Sequence, residues 1–207
     1  MAHAGHHPTV SFTQMKDGTA EDYELLDAME EAYATGTADR VLDYLKRLER
    51  SLSGYQISRL DHSLQTATRA ERDGADIDWV VTALLHDIGD ELAPFNHDSI
   101  AAAVIKPYVR EECAWVCEHH GIFQMVYYAH FQGGDPDIRE RYRDHPYYQA
   151  AVDFCERWDQ ASFDPAYATM PLAHFAPAVR EVFARQPWDG GHLRLGETVP
   201  LYTEATS

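Results

Sequence analysis

Ionisable side chains set into otherwise apolar helical runs constrain this chain more than any other feature. The run Leu84-Leu85-His86-Asp87-Ile88-Gly89 places an imidazole beside a carboxylate. His62 precedes it by 24 positions and His97 follows by 11. His119-His120 ends a further apolar run, and Asp159 lies in Arg157-Trp158-Asp159. Any one of these alone reads as a satisfied core histidine or a helix cap. Buried without partners, each would cost roughly 1–3 kcal/mol, so the ordered set calls for one common compensation. A metal centre supplies it, because neutral imidazole and carboxylate are both good ligands and a carboxylate's two oxygens can bridge two ions. The expected arrangement puts His62, His86 and Asp159 on one ion, His97 and His120 on the other, and Asp87 across both. His120 is preferred to His119 from its position next to Gly121.

The chain has 207 residues, enough for one domain with a sizeable core. Its 34 acidic against 17 basic residues give a formal charge of −17, which argues against nucleic-acid or anionic-membrane partners. Three cysteines, Cys113, Cys117 and Cys155, make no disulfide framework, and all sit in apolar helical patterns. With no signal-like start and no long apolar run, a cytoplasmic location is expected. Cys113, Cys117 and the adjacent histidines have the spacing of a zinc cluster, but cysteines at i and i+4 on an apolar face are ordinary packing.

In chain order, residues 1–18, with histidines at 3, 6 and 7, read as a flexible tail, 19–186 as one helical domain and 187–207 as a second tail. The periodicity predicts a helix from Thr19-Ala20 to Gly36 and another over 38–52. A third carries His62 and ends near Asp73-Gly74, with Gln65 one turn on and placed to orient that imidazole. Asp78 is the expected cap of a central helix from Trp79 to Asp87, stopped by Gly89. Asn96 is a cap for a helix from His97 to Lys106. Pro107 opens the next, which Gly121 stops. The aromatic stretch from Gly121 to Phe131 reads as a pocket wall able to hold a quaternary ammonium. Asp144 is the expected cap of a helix reaching Asp159, and a short helix follows around 176–184. No P-loop, dinucleotide fingerprint or nucleophile elbow is present. The fold class is all-α.

The order His62, His86-Asp87, His97, His120, Asp159 resembles the HD-domain superfamily over about Tyr55 to Phe163. Within it, Asp61-His62-Ser63-Leu64-Gln65-Thr66-Ala67 and Asp78-Trp79 before the His-Asp pair look like the mixed-valent di-iron oxygenases that act on myo-inositol. Leu60 to Gln65, and Tyr147-Tyr148 through Asp159, look like those that cleave 1-hydroxyalkylphosphonates. The resemblance implies an HD-type helical bundle around two iron ions, Fe(II)/Fe(III), with dioxygen and a small molecule as partners. Asp90 stands where the inositol enzymes carry a substrate-binding lysine. Gln124 stands where the aminoethylphosphonate enzyme carries a lysine for the phosphonate. With His119 and Arg157, these are the expected substrate contacts, and Tyr55 is the candidate gate of the open iron position. An acidic Asp90 beside aromatic rings suits (1-hydroxy-2-(trimethylammonio)ethyl)phosphonate, giving glycine betaine and phosphate, with Lys106, Arg139, Arg141 or Arg143 for the anionic end. The alternatives are a phosphohydrolase using other divalent metals on a nucleotide or phosphomonoester, and a silent metal-dependent sensor. Oligomeric state is not legible.

Overall fold

The computed structural model describes residues 8–202, so the three leading histidines lie outside it. Thr19 opens α1 (Ala20–Ala34) with a capping box shared with Asp22. Asp22 also accepts from the Ser11 amide at 2.7 Å, which ties the preceding segment to the helix and holds its carboxyl down at about 2. α2 (Thr37–Leu45) buries Val41, Leu42 and Leu45. The single helix expected over 38–52 tightens at Lys46 into a 3-10 segment, Lys46–Arg50.

The core is α3 (Arg59–Arg72) against α4 (Ile77–Leu85), then α5 (His97–Ile105) against α6 (Glu111–Tyr128), with α4 also packed on α6 and α8 (Leu172–Phe183). Among the described residues the secondary structure is entirely helical. α4 is buried along nearly its whole length, as expected of a helix apolar on every side. Its cap is Asp76, not Asp78: Asp76 accepts from the amides of Asp78 and Trp79. Asp78 instead accepts from the Arg110 amide at 2.9 Å and pairs with Arg185 at 2.7 Å. Two carboxylates two residues apart are interchangeable as local caps, and the inter-helix pairing of Asp78 decides between them.

Four other boundaries differ from expectation. Pro107 lies in a turn before α6, which begins at Glu111. Gly121 does not stop α6; a Cβ there would sit 3.3 Å from Asp98 Oδ2, so the glycine serves the close approach of α5. Asp144 caps nothing, because α7 (Tyr148–Phe154) starts after Tyr147, and the last helix runs over Leu172–Phe183 rather than 176–184. After a short α9 (Gly190–Leu193), the chain lies back over α6. The Val199 amide bonds Glu112 at 2.9 Å, and Leu201 is buried. No helix of the described residues is long and apolar enough to cross a membrane.

Candidate metal centre

Each histidine arrives from a separate place in the bundle. α3 starts with a Ser58/Asp61 capping box that fixes its first turn and so the direction of His62. α4 ends at Leu85, so His86 is its C-cap and Asp87 lies in the turn beyond. His97 is the first residue of α5, and its backbone packs on Gly89. A Cβ on Gly89 would meet the His97 carbonyl oxygen at 2.5 Å, so only glycine lets the two segments touch. His120 comes from the middle of α6. Asp159 ends a π-helical turn, Cys155–Asp159, that continues α7 with one extra residue in the turn.

These side chains converge. His62 Nε2 lies 3.1 Å from His86 Nε2, 3.2 Å from Asp87 Oδ2 and 3.2 Å from Asp159 Oδ1. His86 Nε2 is 3.2 Å from Asp87 Oδ2 and 3.6 Å from Asp159 Oδ1. We term this the inner lobe. In the outer lobe, His97 and His120 Nε2 lie 3.4 Å apart, each 3.3 Å from Asp87 Oδ1. Asp87 thus gives one oxygen to each lobe.

The imidazole tautomers follow from what lies behind the rings. Nδ1 of His62 faces the Ser162 carbonyl at 2.8 Å, that of His86 the Ala83 carbonyl at 2.8 Å, and that of His120 the Cys117 carbonyl at 2.7 Å. A carbonyl only accepts, so in the neutral, metal-binding form of each ring the hydrogen is on Nδ1 and a lone pair on Nε2. Lone pairs and two carboxylates therefore face one another in a buried space, and Asp87 Oδ1 and Asp159 Oδ2 lack hydrogen-bond partners among the described residues. Such an array requires positive charge at its centre. Ligand atoms about 2.0–2.1 Å from one ion stand roughly 2.9–3.4 Å from each other, close to the spacings seen here. His62, His86 and Asp159 form one group able to hold a metal; His86, Asp87 and His120 form a second, and Asp87, Asp90 and His97 a third.

The electrostatics agree. Burial works against charging the histidines, yet Asp87 and Asp159 outweigh it, raising His62 and pushing His86 up to about 10. At His97, burial is again outweighed, chiefly by Asp87, and the ring is pushed up to about 8. Burial also opposes charge on Asp87 and Asp159, but His86 holds both far below the usual carboxylate range, with Arg59 assisting at Asp87 and His62 at Asp159.

Arg59 is the residue that sequence reading missed. It is buried, donates through Nη2 to Asp87 Oδ2, and reaches Asp90 Oδ2 through Nε at 2.6 Å. Its position three residues before His62, on the same face of α3, was the available signal. Asp90, expected as a substrate contact, is engaged on both oxygens: Oδ2 by Arg59, with Oδ1 3.4 Å from His97 Nδ1.

Other candidates fall elsewhere. Gln65 makes no hydrogen bond to the His62 ring. It clamps Asp164, bonding its carbonyl at 2.8 Å and its amide at 3.3 Å, and so holds the loop that presents Ser162 to His62. His119 is turned about 100° around α6 from His120. Its ring stacks on Trp115 at 4.2 Å, away from the cluster. Arg157 pairs with Asp73 at 2.9 Å and lies over Tyr202, also away from it. Arg139 and Arg143 pair with Glu140. The three cysteines are buried thiols, pushed up by burial, which fits packing rather than metal ligation. Gln124 sits half-buried one turn beyond His120. Tyr55 stands at the rim, 50 % exposed, its ring 5.0 Å from Phe163, which stacks on His62 at 4.3 Å.

None of the curated proteins compared matches this chain. The family model described as HD domain matches residues 59–154, from the head of α3 to the end of α7. That stretch holds five of the six converging side chains, with Asp159 just past its end. Over that stretch, just under half of the chain, it is similar to HD domains, which are typically metal-dependent enzymes, often hydrolases.

Proposed function

We propose that this protein is a di-iron oxygenase of the HD fold that uses dioxygen to cleave a small hydroxylated substrate. The best-fitting substrate is (1-hydroxy-2-(trimethylammonio)ethyl)phosphonate, split at its carbon–phosphorus bond. The observation that carries the reading is the donor set: four imidazoles and two carboxylates, divided about the two oxygens of Asp87. Imidazole-rich sites suit iron, whereas magnesium prefers carboxylates, carbonyls and water. Bound iron would supply the redox chemistry with dioxygen and a charge for the substrate's anionic end.

The chain's own residues do the rest. The carbonyls of Ser162, Ala83 and Cys117 keep three imidazoles in the metal-binding tautomer. Phe163 and Tyr55 stack outward from His62 and cover that side against water. Tyr128 lies near Tyr55 and Asp159; its phenol is pushed up by burial first and then by these neighbours. Three rings at the mouth support recognition of a quaternary ammonium by cation–π attraction.

Arg59 is the observation that favours the second reading, a phosphohydrolase. Its charge, however, is already shared by Asp87 and Asp90. A guanidinium already engaged by two carboxylates has little left to offer a polyphosphate.

In the proposed reaction the carbon–phosphorus bond, the carbinol carbon–hydrogen bond and the O–O bond break, two new bonds to oxygen form, and the carbinol hydrogen leaves as a proton. The carboxylate gains one oxygen and the phosphate another, so one O2 balances each turnover. The iron-loaded protein is expected to release glycine betaine and phosphate in equal amounts, matched to oxygen consumed, and to release none under anaerobic conditions. Oxygen-independent phosphate release from a nucleotide or phosphomonoester would establish the hydrolase instead.

A further inference from the structure

Three of the four histidines are fixed from behind by main chain at 2.7–2.8 Å. His97 is not. Its Nδ1 has only the Pro94 carbonyl at 3.5 Å and Asp90 Oδ1 at 3.4 Å. It is also the most open of the four, with its side chain 22 % exposed against 0–3 % for the others. Asp90 is itself anchored: Arg59 Nε holds its other oxygen at 2.6 Å, while the far arm of the same guanidinium holds Asp87. His97 Nε2 faces Asp87 and His120, whereas Asp90 faces the other ring nitrogen, Nδ1.

We propose that Asp90, held by Arg59, is the positioning residue for His97 and thereby sets how tightly the outer lobe binds its ion, so that the two lobes fill in order, inner before outer. The inner lobe needs no such help, since His62 and His86 are locked by the backbone and Asp159 belongs to that lobe alone. In the outer lobe the carboxylate that faces both imidazoles is the shared Asp87, and His97 has at its Nδ1 only the long contact to the Pro94 carbonyl and the Asp90 carboxylate. A carboxylate behind a metal-binding histidine fixes its tautomer and ring angle and raises the ligand's basicity. Its loss typically costs 10–100-fold in metal affinity. The inference rests on reading the cluster as a two-ion site and is independent of the oxygen chemistry.

The test is titration of the metal-free full chain with Co(II) alone, followed by calorimetry and by the visible spectrum of the bound ion. The wild type is expected to take up two ions in distinguishable steps. Asp90→Ala is expected to keep the first step unchanged and weaken the second by roughly 10–100-fold. Asp90→Asn, which keeps the volume and removes the charge, provides the same reading if the alanine variant does not fold. His97→Ala marks complete loss of the second ion. Wild-type affinity for both ions in both Asp90 variants would overturn the proposal, and so would equal weakening of both steps, which is what general structural damage would produce. A wild type that binds fewer than two ions would overturn the two-ion reading itself, a result distinct from either.

Discussion

Replacing Asp87 with alanine is expected to weaken both lobes: metal content falls from two ions per chain to one or none, and turnover drops by about a thousandfold or more. The size follows from Asp87 serving both lobes, through Oδ2 to His62 and His86 and through Oδ1 to His97 and His120. A metal centre supplies several kcal/mol of transition-state stabilisation, and about 4 kcal/mol corresponds to three powers of ten in rate. Stability falls too, because Asp87 is a counter-ion of the buried Arg59. Removing one partner of a buried pair costs about 3–5 kcal/mol, and Asp90, which remains on Nε, keeps the loss toward the lower end. For a domain of this size about 1 kcal/mol corresponds to roughly 2–4 °C in Tm, so a fall near 10 °C is expected. Metal analysis and thermal denaturation of the same preparation check both parts. Retention of two ions by Asp87→Ala would contradict the bridging role.

The second large effect is a pH dependence of the stabilisation by metal. In the metal-free protein His97 is pushed up to about 8 and His86 to about 10, from an ordinary 6.5, because the nearby carboxylates outweigh burial. A group raised in the folded state contributes stability that is fully present below its unfolded pKa. That contribution is lost as pH climbs through the folded value. The metal-free protein therefore loses stability from about pH 6.5 upward, first through His97 and then through His86. Asp87 and Asp159, lowered from 3.8, lose their contribution only in acid and leave this interval untouched. Metal binding needs the same nitrogens deprotonated, so affinity rises over the same range. At free metal about a thousand times Kd the gain is about 4 kcal/mol, or roughly 8–16 °C in Tm. The metal-dependent rise in Tm is expected to be small at pH 6 and to approach that size at pH 9, measured with and without chelator. A rise that is flat or shrinks with pH would contradict it.

The fold class and the six converging residues were legible for one reason. Imidazoles and carboxylates stood where helical periodicity demanded apolar side chains, and that misfit survives any error in boundaries. Features decided by tertiary contact were not legible. Gly121 looked like a helix stop because glycine disfavours helix interiors, yet it sits mid-helix where α5 comes close. Asp78 looked like a cap, but its partners Arg110 and Arg185 are distant in sequence. Gln65 was correctly placed one turn from His62, but it reaches that imidazole only through the loop it clamps. Arg59 went unnoticed because a charged residue at the start of a helix is ordinary, and its burial depends on Asp87 and Asp90, which arrive from beyond α4. The π-helical turn that ends at Asp159 is a one-residue change in hydrogen bonding, which side-chain periodicity does not register.

The central claim is that six side chains hold a coupled pair of irons about Asp87. The most direct measurement is metal analysis of protein purified from iron-supplemented cells, with an electron paramagnetic resonance spectrum recorded after partial oxidation of the reduced form. Two irons per chain and a coupled mixed-valent signal that changes on addition of (1-hydroxy-2-(trimethylammonio)ethyl)phosphonate are the expected result. A single ion, or two ions of another metal with no coupled signal in the iron-loaded protein, would contradict it.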